Sequence, residues 1–201
     1  MDRALQGKAP REGGEGTELC SIFDSGLVPK LFAVDASQVR YRRSVPVKRA
    51  GHVLCLAAWD NPNKAELDKA YKAELMEWAR SVGKPNRAPQ PKPPKNTSQV
   101  SLTILGDSFN SADEAAADLE SKVATLSEGV SVTVGGKVHE TRMMFGDWIG
   151  GVGDKAIFSD KGGLMVAAHG KQFTVKVSAM ETPEKNQEKA VELARHVIPQ
   201  L

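Results

Sequence analysis

The chain has 201 residues, the length of one ordinary domain with tails. Hydrophobic residues make up 40% of it and charged residues 26%, which is a globular composition rather than a disordered one. The formal net charge of +2 is too small for a general attraction to nucleic acid. No apolar run approaches the roughly 18 residues that cross a bilayer. The sequence therefore predicts a globular protein with no nucleic-acid partner and no membrane span.

The first 17 residues are rich in Gly, Lys and Glu and nearly free of apolar side chains. They predict a flexible tether at 1–17, followed by a single α+β domain at 18–201. The tether lacks the apolar segment of a signal peptide. Two localisations stay open at this point: the cytoplasm, or an extracytoplasmic compartment reached through a signal that was removed.

The domain begins with a short helix and two strands. Apolar residues recur every three to four positions between Leu19 and Phe32, which predicts one or two helical turns. Residues 37–48 read as a basic strand, and Pro46 indicates either a sheet edge or a bulge there. Residues 52–59, HVLCLAAW, are apolar on both faces and predict a central strand.

Residues 60–97 read as a helix followed by a Pro-rich loop. The helix starts after Asn61-Pro62-Asn63, and the loop, KPNRAPQPKPPKN, has polyproline character. One apolar stripe runs along the helix at steps of four, four, three and four, which favours packing on the core over a groove for a partner. The stripe consists of Leu67, Tyr71, Leu75, Trp78 and Val82.

The second half of the chain predicts a helix between groups of strands. A strand around residues 100–104 leads to a helix that opens with a capping box, Ser111 and Glu114, and ends at Gly129. A hairpin with Gly135-Gly136 at its turn comes next.

Residues 150–179 predict three antiparallel strands, and a last helix follows them. Alternation of Phe173, Val175 and Val177 with polar residues indicates a final strand with one buried and one wet face. Thr182 and Pro183 then open the last helix. The fold class is α+β, an antiparallel sheet covered by helices.

The two cysteines, Cys20 and Cys55, allow two interpretations. They are either two buried thiols or one disulfide that joins the first helix to a central strand. Two distant cysteines without a clustered histidine pair do not supply four ligands, so no metal site is predicted.

Three segments together carry a resemblance to a known family. They are CSIFDSGLVPKLF from Cys20, LCLAAW around Cys55, and GVGDKAIF followed by LMVAAHGKQFTVKV and a terminal helix. The chain resembles, over roughly 19–59 and 98–201, a family of small bacterial cell-envelope lipoproteins of unknown function, best known from actinobacteria. Relative to that family, the helix and Pro-rich loop at 60–97 are an insertion. The family's residues fall on Cys20, on Cys55 with Trp59, and on the Gly-x-Gly-Asp-x-Ala turn at Gly151, Gly153, Asp154 and Ala156.

This resemblance implies an exported domain, a Cys20–Cys55 disulfide and no established catalytic activity. We therefore expect a non-catalytic module, periplasmic, secreted or attached to the cell envelope, that binds a protein partner or a small apolar ligand without a cofactor. Membrane contact would come only through a lipid anchor outside this chain. Two alternatives stay open: a cytosolic interaction protein with free thiols, and a small hydrolase that uses one of His52, His139 or His169.

The residues that invite a chemical interpretation also have plain structural ones. The glycines before Asp154 lead into a strand rather than a helix, so they predict a tight turn in which Asp154 bonds local backbone, not a phosphate cradle. The four histidines lie on four separate elements without metal-site spacing. They are His52, His139, His169 and His196.

Two candidate binding surfaces remain. A basic cluster on the predicted edge strand either binds anionic lipid headgroups or polysaccharide, or protects the edge from aggregation. It comprises Arg40, Arg42 and Arg43. An apolar group in a glycine-flanked segment is either core or the rim of a partner or ligand cleft. It comprises Met143, Met144, Phe145, Trp148 and Ile149.

Overall fold

A seven-stranded sheet, antiparallel throughout, forms the centre of the fold, with strands in the order β1-β2-β3-β9-β8-β7-β6. The structure is a computed structural model that describes residues 20–22, 26–44, 52–82, 88–94, 97–134, 137–180 and 182–201. The predicted tether at 1–17, Pro46, Gly135-Gly136 and part of the Pro-rich loop lie outside the described residues. The strands are β1 (Arg40–Ser44), β2 (Val53–Asp60), β3 (Thr97–Ser108), β4 (Val130–Val134), β5 (Lys137–Thr141), β6 (Phe145–Trp148), β7 (Lys155–Ser159), β8 (Gly163–Ala168) and β9 (Lys171–Ser178).

Four helices accompany the sheet in the described residues, and the predicted α+β class is confirmed. They are α1 (Val28–Phe32), α2 (Lys64–Arg80), α3 (Ala112–Glu128) and α4 (Pro183–Val197). Residues 20–22 are also helical, and short 3-10 turns lie at Ala36–Gln38 and Ile198–Gln200. β4 and β5 pair only with each other, as the predicted hairpin.

Local signals place the helix ends where the sequence predicts them. The Ser111 hydroxyl accepts a hydrogen bond from the Glu114 backbone N–H at 3.1 Å, and Gly129 ends α3 with a φ of 106°. The Glu114 carboxylate, however, accepts from the backbone N–H of Asn110 rather than from that of Ser111, so the capping box closes one residue early. Thr182 caps α4, and Pro183 occupies its first turn.

The main core lies on one face of the sheet, called here the core face. Alternate residues of β2, β3, β9 and β8 point to it, and the N-terminal helical residues and α4 cover it. Its largest fully buried side chains include Phe173, Leu102, Leu164 and Leu193. β2 and β8 are internal strands, as predicted, and β1 and β6 are the two edges.

The opposite face, called here the α3 face, is covered by α3 where that helix lies over β8 and β9. Ala115, Leu119 and Val123 of the helix pack there against Ile157 and Ala167. The expectation that this side of β9 is wet is therefore wrong at Gln172, which is only 1% exposed. It holds at Lys176, beyond the reach of the helix.

The inserted helix forms at the predicted place, but the prediction that its apolar stripe packs on the core is wrong. None of the residues of α2 is buried, and its apolar side chains belong to neither cluster of core residues. Trp78 instead donates its indole N–H to the carbonyl of Ala88 in the Pro-rich segment at 2.9 Å. Val82 is 65% exposed. The stripe therefore lies outside both core clusters, and Trp78 bonds the neighbouring extended segment.

Candidate functional site

A disulfide joins Cys20, in the first helical residues, to Cys55 on the core face of β2. Their Cα atoms lie 5.5 Å apart, within the usual range for a bridge, and both residues are 1% exposed. The disulfide that the resemblance implied is therefore confirmed, and free thiols are wrong for this fold. The buried bridge is a covalent link between the N-terminal helical residues and the sheet.

The glycine-rich turn before β7 connects two parts of the sheet. The Asp154 carboxylate accepts from the backbone N–H of His169 at 3.1 Å, and the Asp154 N–H donates to the carbonyl of Ala167 at 2.9 Å. Asp154 therefore bonds the neighbouring β8–β9 hairpin, whereas the sequence predicted a bond to local backbone. Gly153 is required because a Cβ there would lie 2.6 Å from the Ala167 carbonyl oxygen. The turn therefore holds the start of β7 against the β8–β9 hairpin. It is followed by a strand and not by a helix.

The histidines occupy four separate elements, as predicted. His169 sits in the β8–β9 turn at a φ of 52° and contributes its backbone N–H to Asp154. The ring Nδ1 of His196 lies 2.8 Å from the carbonyl oxygen of Glu192, one turn earlier on α4. His52 immediately precedes β2, and His139 lies in β5. Within the described part of the chain, no group of three or more His, Cys, Asp or Glu side chains could hold a metal ion.

The apolar candidates around β6 divide between core and surface. Phe145 packs on the α3 cluster, Ile149 packs on the main core, and Met143 is half-buried. Met144 and Trp148 are exposed, by 68% and 41%. We call these last two residues the β6 patch. Since β6 is an edge strand, the patch lies at the rim of the sheet.

Charged neighbours fix the position of the exposed tryptophan. The Lys155 ammonium lies 4.8 Å from the centre of the Trp148 ring, and the same ammonium pairs with Glu120 of α3. A cation over an indole ring is attracted by the negative face of the ring. Trp148 is therefore held in place while one side of it remains open to solvent.

The three candidate arginines lie on β1, at the opposite edge of the sheet, and point to two different faces. Arg42 pairs in register with Leu56 and Arg43 with Cys55, so Arg43 lies on the core-face side, and Arg40 and Arg42 on the α3 face. Arg40 pairs with Asp60 at 3.0 Å. The predicted edge position is confirmed, but the three charges do not form one cluster.

The Arg40–Asp60 ion pair can be tested by titrating the Asp60 carboxyl group. A hydrogen bond and the charge of Arg40, with a smaller contribution from the charge of Lys64, lower the pKa of Asp60 below its usual 3.8. Arg40→Gln should therefore raise the pKa of Asp60, which pH titration of the side-chain carboxyl signal by NMR would measure. Arg195→Gln on α4 is the matched control and should leave that pKa unchanged. An unaltered pKa in the Arg40 variant would contradict the pair.

A buried amide, which the sequence did not reveal as special, joins α3 to β9. The Gln172 side-chain nitrogen donates to the carbonyl of Ala115 at 2.7 Å and to the carboxylate of Asp118 at 2.9 Å. Its oxygen accepts from Lys122 at 3.0 Å. All the polar atoms of this side chain are used, which is what a buried amide requires. In the sequence, Gln172 resembles the other polar residues that alternate with the apolar side chains of β9.

Gln172→Leu should lower the free energy of unfolding by about 1–3 kcal/mol, because it removes three hydrogen bonds, two of them to charged groups. Lys122 and Asp118 still pair with each other at 2.7 Å, which limits the loss. Gln99→Leu, at an exposed position of β3 on the same face, is the matched control and should change stability little. Equal urea midpoints for the two variants would contradict the role of Gln172.

Comparison with known proteins identifies no relative: no family model, no curated protein and no solved structure matches the chain. The resemblance to envelope lipoproteins therefore stays a prediction. Among the helices of the described residues, none is long and apolar enough to cross a membrane.

Proposed function

We propose that this protein is a non-catalytic, exported module of the cell envelope that binds a partner protein through the β6 patch. The observation that carries the proposal is the exposure of two large apolar side chains at an edge strand, Met144 just before β6 and Trp148 at its end. Methionine and tryptophan are enriched at the centres of protein interfaces. An edge strand in addition offers backbone groups for strand addition by a partner.

The disulfide supports the extracytoplasmic part of the proposal. Disulfides persist in oxidising compartments and are rare in the cytosol. The bridge between Cys20 and Cys55 is buried in the main core and connects segments 35 residues apart. A periplasmic or secreted location agrees with this, and so does the resemblance to envelope lipoproteins.

Photo-crosslinking in cells tests the proposal. A benzophenone amino acid replaces Met144, and the matched control carries it at Met76, which is exposed to a similar extent, 65%, on α2. We expect an adduct of discrete mass in the envelope fraction from position 144 and none from position 76. Adding Trp148→Ser should abolish the adduct at 144, because the partner loses its aromatic anchor. The same adducts from both positions, or an adduct that survives the Trp148 change, would contradict the proposal.

A further inference from the structure

A second surface lies at the other edge of the sheet, on the α3 face of β1, β2, β3 and β9. Strand register brings Arg42, Leu56, Ser101 and Lys176 into one row across these four strands. Residues paired directly across antiparallel strands have side chains on the same face, so Arg42 and Lys176 project to the same side. Three strand spacings separate them, about 14 Å. We call this surface the basic face.

Two positive charges on the basic face have no ion pair with any residue that the structure describes. Arg42 and Lys176 are exposed, and neither has an ion-pair partner among the described residues. Arg40 lies on the same side, two residues along β1, and is paired with Asp60. The row therefore carries at each end a cation without an ion pair in the described part of the chain, although the net charge of the whole chain is only +2.

Between these charges, β2 contributes the half-buried Leu56, and β3 and β9 contribute uncharged polar groups. Gln99 is exposed beside the row, and hydroxyls flank it on β3 and β9 without a hydrogen-bond partner among the described residues. Hydroxyl and amide side chains can both donate and accept hydrogen bonds, which suits the hydroxyl groups of sugars. The hydroxyl residues are Ser101, Thr103, Thr174 and Ser178.

We propose that the basic face binds a carboxylate-bearing polysaccharide. Its carboxylates would pair with Arg42 and Lys176, and its sugar hydroxyls would bond the polar side chains between them. An anionic membrane fits less well, because such surfaces are recognised by clusters of about 4–8 Lys and Arg residues. This site is independent of the β6 patch, which lies at the other edge of the sheet.

The test titrates the full, disulfide-bonded chain with polygalacturonate and, as a neutral control, with dextran. Arg42→Gln and Lys176→Gln should each weaken polygalacturonate binding about fivefold, the effect of losing one surface cation at an anionic ligand. The matched controls are Arg195→Gln on α4 and Lys161→Gln in the β7–β8 turn, both exposed and away from the basic face. They should leave the affinity unchanged.

Asp60→Asn should change the affinity for polygalacturonate in the opposite direction. It removes the partner of Arg40 and one negative charge from this side of the sheet, so the affinity for polygalacturonate should rise. A fall or no change would contradict the proposal. Equal losses of affinity in the control variants would also contradict it, because they would indicate attraction to overall charge. Binding of dextran as tight as that of polygalacturonate would contradict it as well. Binding to phosphatidylglycerol vesicles without binding to polygalacturonate would also overturn the proposal and make the face a membrane contact.

Discussion

Replacing both bridged cysteines with alanine should lower the free energy of unfolding by about 3–4 kcal/mol. The bridge joins residues 35 positions apart, and it restricts the unfolded chain by the entropy of closing a loop of that length. For a chain of this size the melting temperature should fall by roughly 6–16 °C.

Reduction provides the control for the double variant. Dithiothreitol should destabilise the wild-type protein by a similar amount and leave Cys20→Ala/Cys55→Ala unaffected. Intact mass without reductant should show the wild type lighter than its dithiol form by two hydrogen atoms. If the oxidised and reduced wild types unfold at the same urea concentration, the bridge contributes nothing, and the argument for an oxidising compartment loses its support.

The parts of the fold that follow from short-range chemistry could be predicted. The alternation of apolar and polar residues in β9 and the turn glycine at Gly170, with its φ of 71°, depend only on neighbouring residues. The same holds for the caps at Ser111 and Thr182, where a side-chain oxygen meets a backbone N–H three residues on. Such signals place strands and helix ends without any knowledge of the tertiary arrangement.

Contacts between distant segments could not be predicted in the same way. Periodicity puts Gln172 on the face opposite Phe173, but it does not say that α3, more than 40 positions earlier in the chain, covers that face. The bond from His169 to Asp154 likewise crosses between two turns. In both cases the polar side chain holds two elements together, and its sequence neighbours carry no sign of the partner.

The candidate surfaces also depend partly on short-range signals and partly on contacts between distant segments. A period of two already implies that Arg42 and Arg43 point to opposite faces of a strand. That Lys176 shares a row with Arg42 is decided by strand order and register across β1, β2, β3 and β9. Around β6, apolar content alone did not separate the packed Phe145 from the exposed Met144.

The tryptophans of β2 and α2 offer the most direct test of what belongs to the core. Trp59 is 3% exposed, and its ring centroid lies 5.2 Å from that of Phe32. Trp59→Ala should cost about 3–5 kcal/mol, as large-to-small changes in a packed core do. Trp78→Ala should cost about 1 kcal/mol, chiefly for the hydrogen bond to Ala88 and partial burial of the ring.

Urea denaturation of the two variants, followed by circular dichroism, measures the difference. The sequence pattern alone predicts a large loss for both, because Trp78 belongs to a regular apolar stripe on a helix. The structure separates them, since α2 contributes no side chain to either core cluster. A cost for Trp78→Ala equal to that for Trp59→Ala would place α2 on the sheet. A small cost would indicate that the half-buried side of α2 is held mainly by the Pro-rich segment beside it. A change in α2 would then disturb that segment first, and not the sheet.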